Sequence, residues 1–240
     1  DGKGVRIIND ADGAAAAADW FTGEPLLAEE KVPFSRELSA LVARTPQGSA
    51  LPWPVVHSIQ VDGVCDEVIA PAQELDSRVA AAAQDAALRI ADELGVTGVM
   101  AVELFETPGQ GAGFLINELA MRPHNSGHWT MDGSVTGQFE QHLRAVLDLP
   151  LGATDVLGGA VVMKNYLGGT NLDLFSSYAQ ALAAEPAAKI HNYGKSVRPG
   201  RKVGHVNVVG RSAADLPRVR RSAERAAAIL RDGTDTLKEN

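Results

Sequence analysis

Cysteine is nearly missing from this 240-residue chain: Cys65 stands alone, so no internal disulfide can form. With no stretch resembling a signal peptide and no apolar run long enough for a membrane, the setting expected is a reducing, cytoplasmic one. An isolated thiol reads as packing rather than as a nucleophile. Positive charge is also scarce. Lys and Arg number 22 against 30 Asp and Glu, for a net charge of −8. Such a chain has no overall attraction for nucleic acid or an anionic membrane, although a local basic pocket can still hold phosphate. No Lys-Ser or Lys-Thr follows a glycine loop at Walker A spacing, and no GxGxxG occurs, so neither a P-loop nor a Rossmann site is supported. What is present is 45% hydrophobic residues, enough to bury one sizeable core or two modest ones.

The apolar patterning is that of an α+β protein. A short alanine-rich helix is expected over 10–21, followed by an extended segment from Pro25 to Glu30. Strand-like runs at 38–44 and 55–61 flank the turn-forming 45–49 and read as a hairpin or as adjacent strands. Val79, Ala83, Ala86, Ile90 and Leu94 recur at helical spacing, and Gly95 stands where a C-terminal cap belongs. Strands at 96–105 and 114–120 are joined by the glycine-rich 108–113, and a second helix follows over 138–147. The run 150–154 reads as a boundary, dividing residues 1–150 from a smaller C-terminal domain, 151–240. That domain is expected to hold a strand at 160–163, a helix near 172–184, a basic turn over 195–202, a strand at 203–209 and a closing helix over 215–231. The opening Asp1-Gly-Lys-Gly-Val5 looks like the inside of a glycine loop running into a strand, so a preceding segment is expected.

Glu103 and Glu118 sit on opposite arms of the second hairpin at nearly equal distances from its turn, so they should face each other. Two facing carboxylates repel unless a cation lies between them, and hard oxygen ligands on a rigid sheet suit Mg²⁺ completed by water and nucleotide phosphates. The alternative is that one glutamate points to solvent or pairs with an arginine, and a one-residue bulge would break the facing geometry. Arg122-Pro-His-Asn-Ser-Gly-His128 follows directly, a turn-forming run of donors suited to phosphate or sugar hydroxyls. His124 and His128 have the spacing of zinc ligands, but Pro123 and Gly127 oppose the helix that would bring them to one face. Lys195, Arg198, Arg201 and Lys202 form a cationic cluster that is either a phosphate grip or a solvated turn. Glu29, Glu30 and Glu37 flank an extended segment and fit a surface charge run equally well.

Taken in order, Asp1-Gly-Lys-Gly4, Glu29-Glu-Lys-Val32, Arg36-Glu-Leu-Ser39, the paired glutamates, Asn117-Glu-Leu-Ala-Met-Arg-Pro-His-Asn-Ser-Gly-His-Trp-Thr130 and Arg198-Pro-Gly-Arg-Lys-Val-Gly-His205 resemble the signature of the N5-carboxyaminoimidazole ribonucleotide synthase family. The resemblance implies an ATP-grasp domain, incomplete at its N-terminus, followed by a small C-terminal α/β domain. It implies an ATP-dependent ligase that uses Mg²⁺, ATP, bicarbonate and aminoimidazole ribonucleotide, with no nucleic-acid or membrane partner, as a homodimer. By the same likeness Glu29, Glu30, Lys31 and Val32 line the adenine end of the ATP site and Glu37 holds the ribose. Asn117 and Glu118 complete the ATP site, and Glu103 and Glu118 bind Mg²⁺. Arg122, His124 and Asn125 contact the aminoimidazole ribonucleotide, Arg122 in a catalytic role. Lys195, Arg201 and Lys202 hold its phosphate, while Asp1 handles the substrate amine beside Lys3 in the same loop.

Met121, Gln60 and Lys164 depart from the family pattern. The family's N-terminal nucleotide-fold domain, and the lysines that grip ATP from the first part of the grasp domain, have no counterpart in this chain, which is therefore not expected to turn over alone. Two other readings remain: a non-catalytic nucleotide-binding fragment, and an ATP-grasp ligase acting on another purine precursor.

Overall fold

The structure, a computed structural model, describes residues 5–237; Asp1 and Lys3 lie outside them. Its framework is a nine-stranded antiparallel sheet. The strands are β1 (Arg36–Arg44), β2 (Ala50–Pro52), β3 (Val56–Val61), β4 (Val64–Ala70), β5 (Gly98–Glu106), β6 (Phe114–Ala120), β7 (Ala160–Leu167), β8 (Lys189–Asn192) and β9 (Lys202–Gly210). Their spatial order is β6-β5-β1-β3-β4-β7-β9-β8, with β2 beside β1. Pairing of β4 with β7 carries the sheet without a break across residues 150–154.

Alternation along the strands explains how helices are distributed. Leu38, Ala40 and Val42 of β1 share a face with Val102 and Leu104 of β5 and pack beneath α2 (Ser77–Glu93). The helix approaches closely because its buried residues, Ala83, Ala87 and Ala91, form a methyl-sized stripe. Its first turn is capped by the Asp76 carboxylate, which accepts from the Arg78 N–H at 2.8 Å. On the same face, further along the sheet, Val162, Val206 and Val208 meet Val219, Ala223 and Ile229 of α6 (Leu216–Asp232). The opposite face carries a separate core of Leu41, Ala43, Val99, Ala101, Val161, Met163, Trp53 and Trp129. Trp129 leads into the short α3 (Thr130–Gly133), and α4 (Gln138–Val146) lies against β5.

Most expected elements are present, with differences that have physical causes. The N-terminal helix shrinks to Ala11–Ala16, followed by a 3₁₀ turn, because Ala17 between the two is the one buried residue there and a short helix with so little apolar contact gains little. β4 is an additional strand. It follows β3 through a two-residue reversal at Asp62 and Gly63, both at positive φ (51° and 72°), the geometry of a tight hairpin turn. Its charged Asp66 and Glu67 obscure the strand pattern, and Glu67 is buried because Arg220 of α6 pairs with it at 2.7 Å. β2, β8 and α3 are likewise additions, being three or four residues long. The helix near 172–184 splits into a 3₁₀ turn, Leu174–Ser177, and α5 (Tyr178–Ala184). Lys202 belongs to β9 and not to the basic turn.

Leu41, fully buried between β1 and the loop above it, tests the central core. Leu41→Ala should lower unfolding free energy by about 2–5 kcal/mol, read as a fall in the denaturant midpoint with an unchanged slope.

Candidate functional site

The face that holds the Leu41–Trp129 core turns polar toward one end, and it does so on β1, β5, β6, β7 and β9. On β1 the inward residues run Ala43, Leu41, Ser39, Glu37; on β5 Val99, Ala101, Glu103; on β6 Ala120, Glu118; on β7 Val161, Met163, Asn165; on β9 Asn207 and His205. The result is a belt of carboxylates, amides and imidazoles beside a dry core.

Glu103 and Glu118 are register partners, as expected, but a bulge is what pairs them. Below them Leu104 pairs with Ile116 and Phe105 with Leu115; Asn117 is the extra residue. Continued without a bulge, the register below would set Glu103 against Asn117. The bulge thus creates the pairing that a sequence argument expects it to destroy. Burial, the adjacent Glu118 carboxylate to which the protonated acid hydrogen-bonds, and Glu37 push Glu103 up to about 7, opposed by Lys202. Burial and Glu118 also raise Glu37. The repulsion is only partly offset within the protein, by Lys202, which fits a site completed by a cation. Among the described residues no three His, Cys, Asp or Glu side chains form a closed metal cage. Two carboxylates are the donor set of an ion that draws its remaining ligands from water and nucleotide phosphate.

Residues 124–128 cross the belt as a strap. His124 caps the 3₁₀ turn Asn125–Gly127 through its own ring, whose Nδ1 accepts from the Ser126 N–H at 3.3 Å. Nδ1 being an acceptor, it also takes the Ser126 hydroxyl proton at 2.8 Å, and the Ser39 hydroxyl donates to Ser126 at 2.7 Å. The ring proton therefore resides on Nε2, which lies 3.5 Å from the Glu103 carboxylate. Burial, then Arg122 and Lys202, lower His124 to about 4, so it is neutral at pH 7. Asn125 forms a reciprocal amide pair with Asn165 of β7, at 3.2 and 2.7 Å.

His128 opens a column of three stacked imidazoles. His128 and His205 are 4.8 Å apart, and His205 and His191 4.5 Å, each pair 16° from parallel. Burial, followed by the neighbouring rings, lowers His128 to about 4 and His205 to about 2. Tyr193 Oη lies 2.8 Å from His205 Nδ1, and the Lys195 ammonium sits 5.1 Å from the Tyr193 ring centre. His191 bonds Asp132 at 2.6 Å. Ser39, Ser126, Gln138, Tyr193, His191 and His205 carry no role in the sequence reading. Ser39 and His205 lie inside stretches singled out there, whereas Gln138 shows only once the fold is known.

The structure thus brings together Glu37, Glu103, Glu118, His124, Asn125 and Lys202, with Arg122 and Lys195 near enough for their charges to act on His124 and His128. Arg122 itself is exposed, with one bond to the Pro123 carbonyl at 3.1 Å. Asn117 is exposed at the bulge. Arg201 is exposed and bonds Ser196 Oγ at 2.8 Å, turned toward its own loop. Glu29 and Glu30 are exposed, Lys31 bonds Asn9 at 3.2 Å, and Val32 is half-buried near Phe34, which stacks on Phe105 at 4.4 Å beside Glu37. Cys65 is buried, and burial pushes its thiol up to about 11, as suits a packing residue. His124 and His128 use ring nitrogens on Ser126 and Gln138 and do not converge on a common centre.

Residues 1–139 match the ATP-grasp domain, and residues 161–218 match the phosphoribosylaminoimidazole carboxylase C-terminal domain. The chain belongs to the ATP-grasp family. It is 51% identical over 243 residues to N5-carboxyaminoimidazole ribonucleotide synthase of Mycobacterium leprae, covering 97% of this chain and 55% of that one. The Corynebacterium ammoniagenes synthase is 48% identical, with 96% and 56% covered. Among solved structures, the Thermus thermophilus synthetase superposes with TM-score 0.79 at 36% identity, covering 95% of this chain and 59% of the other. The Aspergillus clavatus synthase in complex with ADP and 5-aminoimidazole ribonucleotide gives 0.82 at 31%, covering 92% and 58%. This ATP-grasp chain spans about half the length of the curated relatives it matches.

A raised carboxyl pKa means that folding favours the protonated acid. Its stabilising contribution is present below the unfolded value near 4.5 and is lost as pH rises through about 7. Glu103→Gln should therefore stabilise the nucleotide-free chain by about 1–3 kcal/mol at pH 8, with little gain at pH 4. Chemical denaturation at the two pH values measures the difference.

Proposed function

We propose that the complete polypeptide to which this chain contributes carboxylates 5-aminoimidazole ribonucleotide at its exocyclic amine. ATP phosphorylates bicarbonate to carboxyphosphate with release of ADP, carboxyphosphate breaks down to carbon dioxide and phosphate beside the exocyclic amine, and the amine adds to carbon dioxide with loss of a proton to give N5-carboxyaminoimidazole ribonucleotide. The observation that carries this reading is the junction of an acidic pair, Glu103 and Glu118, with a neutral imidazole, His124, and a lysine, Lys202, on one sheet face. A nucleotide triphosphate and a phosphorylated imidazole nucleoside need these two chemistries side by side. The ATP, ADP and 5-aminoimidazole ribonucleotide complexes of the similar Aspergillus clavatus enzyme support it.

In this reading Glu103 and Glu118 hold Mg²⁺, which when bound supplies neutralisation of phosphate charge. Glu37, beside the stacked Phe34 and Phe105, takes the ribose of ATP, and the segment from Glu29 to Val32 its base, with Asn117 near the phosphates. His124 offers an Nε2 proton and cannot itself carry charge at neutral pH, so it orients the imidazole nucleotide without adding to the local field. Asn125 is held in plane by Asn165 and presents its remaining polar positions to the same ligand. Lys195 and Lys202, with Arg122 and Arg201, supply positive charge for the substrate phosphate. Arg201 must leave Ser196 to take part. Lys3 and Asp1, outside the described residues, complete the amine end of the site. Carboxyphosphate is destroyed by water, so the dry core next to the belt and the strap across it serve to limit solvent access. We assign residues 1–150 to the nucleotide-binding part and 151–240 to a smaller domain that delivers the phosphate-binding lysines, in a cytoplasmic homodimer.

In the complete polypeptide, ADP formation should require both bicarbonate and 5-aminoimidazole ribonucleotide. Glu103→Ala should lower kcat by at least about 100-fold. Lys202→Ala should raise KM for the ribonucleotide by roughly 10- to 100-fold and leave that for ATP close to normal. Stimulation by a different purine precursor in place of 5-aminoimidazole ribonucleotide would move the assignment to another ATP-grasp ligase.

A further inference from the structure

One fully buried side chain fastens the strap. Gln138, the first residue of α4, accepts from the His124 N–H through Oε1 at 2.9 Å. Through Nε2 it donates to the His124 carbonyl at 2.9 Å and to His128 Nδ1 at 2.7 Å. Its own backbone N–H donates to Thr130 Oγ1 at 2.8 Å, and that hydroxyl donates to the Gly127 carbonyl at 2.6 Å. The side-chain amide has one acceptor oxygen and two N–H donors, and each is engaged. Its orientation follows from the His124 N–H, which can face only the oxygen. Gly127 completes the arrangement: a Cβ there would enter the Gln138 amide and the Leu41 side chain, so the strap lies flat on both.

We propose that Gln138 is a positioning residue for the nucleotide site, fixing the height and direction of the His124 imidazole over Glu103 by holding the His124 backbone on both sides. Gln141, one turn further along α4 and also fully buried, shows what the same device does away from the site. It clamps Gly152 reciprocally, donating to the carbonyl at 2.7 Å and accepting from the N–H at 2.8 Å. The two glutamines thus share helix, burial and bonding pattern, and differ in whether the clamped backbone carries a site residue. Gln141 is the internal control for a purely structural role. The functional consequence rests on the reading that His124 meets the imidazole nucleotide, whereas the positional one does not.

The test compares Gln138→Asn, which keeps the amide but withdraws it by one methylene, Gln138→Met and Gln141→Met in the complete polypeptide. Thermal unfolding, KM for 5-aminoimidazole ribonucleotide, KM for ATP and the ring ¹⁵N signals of His124 are measured for each. Both Met variants should lose similar stability. Only the Gln138 variants should raise KM for the ribonucleotide, by about 10- to 100-fold, with KM for ATP within about twofold, and only they should shift the His124 ring signals away from the Nε2–H pattern. Equal effects of Gln138→Met and Gln141→Met on ribonucleotide KM would overturn the proposal, as would unchanged His124 ring signals in Gln138→Asn. If Gln138→Met does not fold, Gln138→Asn carries both readouts. Should wild-type ADP formation prove independent of the ribonucleotide, the functional reading fails and the ring signals still decide whether Gln138 positions His124.

Discussion

Three carboxylates held on one sheet face against their mutual repulsion are the constraint around which this structure is arranged. Glu37, Glu103 and Glu118 occupy neighbouring strands at the end of a dry core, where burial and proximity lift the pKa of the first two. A flexible loop would let them separate. A sheet does not, because Glu103 on β5 is laddered to strands on both sides, Glu37 and Glu118 each lie on a strand paired with β5, and the apolar half of the same face anchors the strands that carry them. Unfavourable electrostatics held in place by a rigid layer is a common signature of a ligand site, and it fits the proposed completion of this one by a cation and a polyphosphate.

Continuity of the sheet explains how groups far apart in sequence share this region. The two segments that match separate domain families, 1–139 and 161–218, are joined by the β4–β7 ladder. Lys202 at the start of β9 is thereby brought within electrostatic reach of Glu103 on β5. The strap makes the second connection, tying β1 through Ser39, β7 through Asn165 and β9 through Asn207, whose amide donates to the His128 carbonyl at 3.0 Å. A site assembled across one rigid layer needs few moving parts among the described residues.

Much of this is legible in the chain itself, for reasons that differ element by element. Helices α2 and α6 carry complete apolar stripes and clear terminal signals, Asp76 and Gly95 on one and Pro217 and Gly233 on the other, so periodicity alone finds them. The facing of Glu103 and Glu118 follows from a hairpin argument, although the route to it runs through Asn117. β4 is hidden because its charged residues find partners far along the chain, Glu67 on Arg220 of α6 and Asp66 on Lys164 of β7, which no local pattern reveals. Gln138 is invisible for a related reason: at the start of an amphipathic helix a glutamine reads as a solvent-facing residue, whereas here it is Phe139 and Leu143 that are exposed and the glutamine that is buried. Polar residues whose partners are backbone atoms of a distant loop carry no sequence signal of their own.

The bulge at Asn117 also changes what counts as an equivalent relative. Because it lies between the glutamate pair and the turn, the number of residues separating the two acids is odd-even shifted from that of a regular hairpin with the same turn. A homologue that lost the single residue at 117 would run as a regular ladder and still set Glu103 against Glu118, whereas one of unchanged length that continued the Leu104–Ile116 register without the bulge would set Glu103 against Asn117. Gap length alone would rank these two in the wrong order of severity, since the one-residue deletion leaves the acidic pair intact and the ungapped chain loses it.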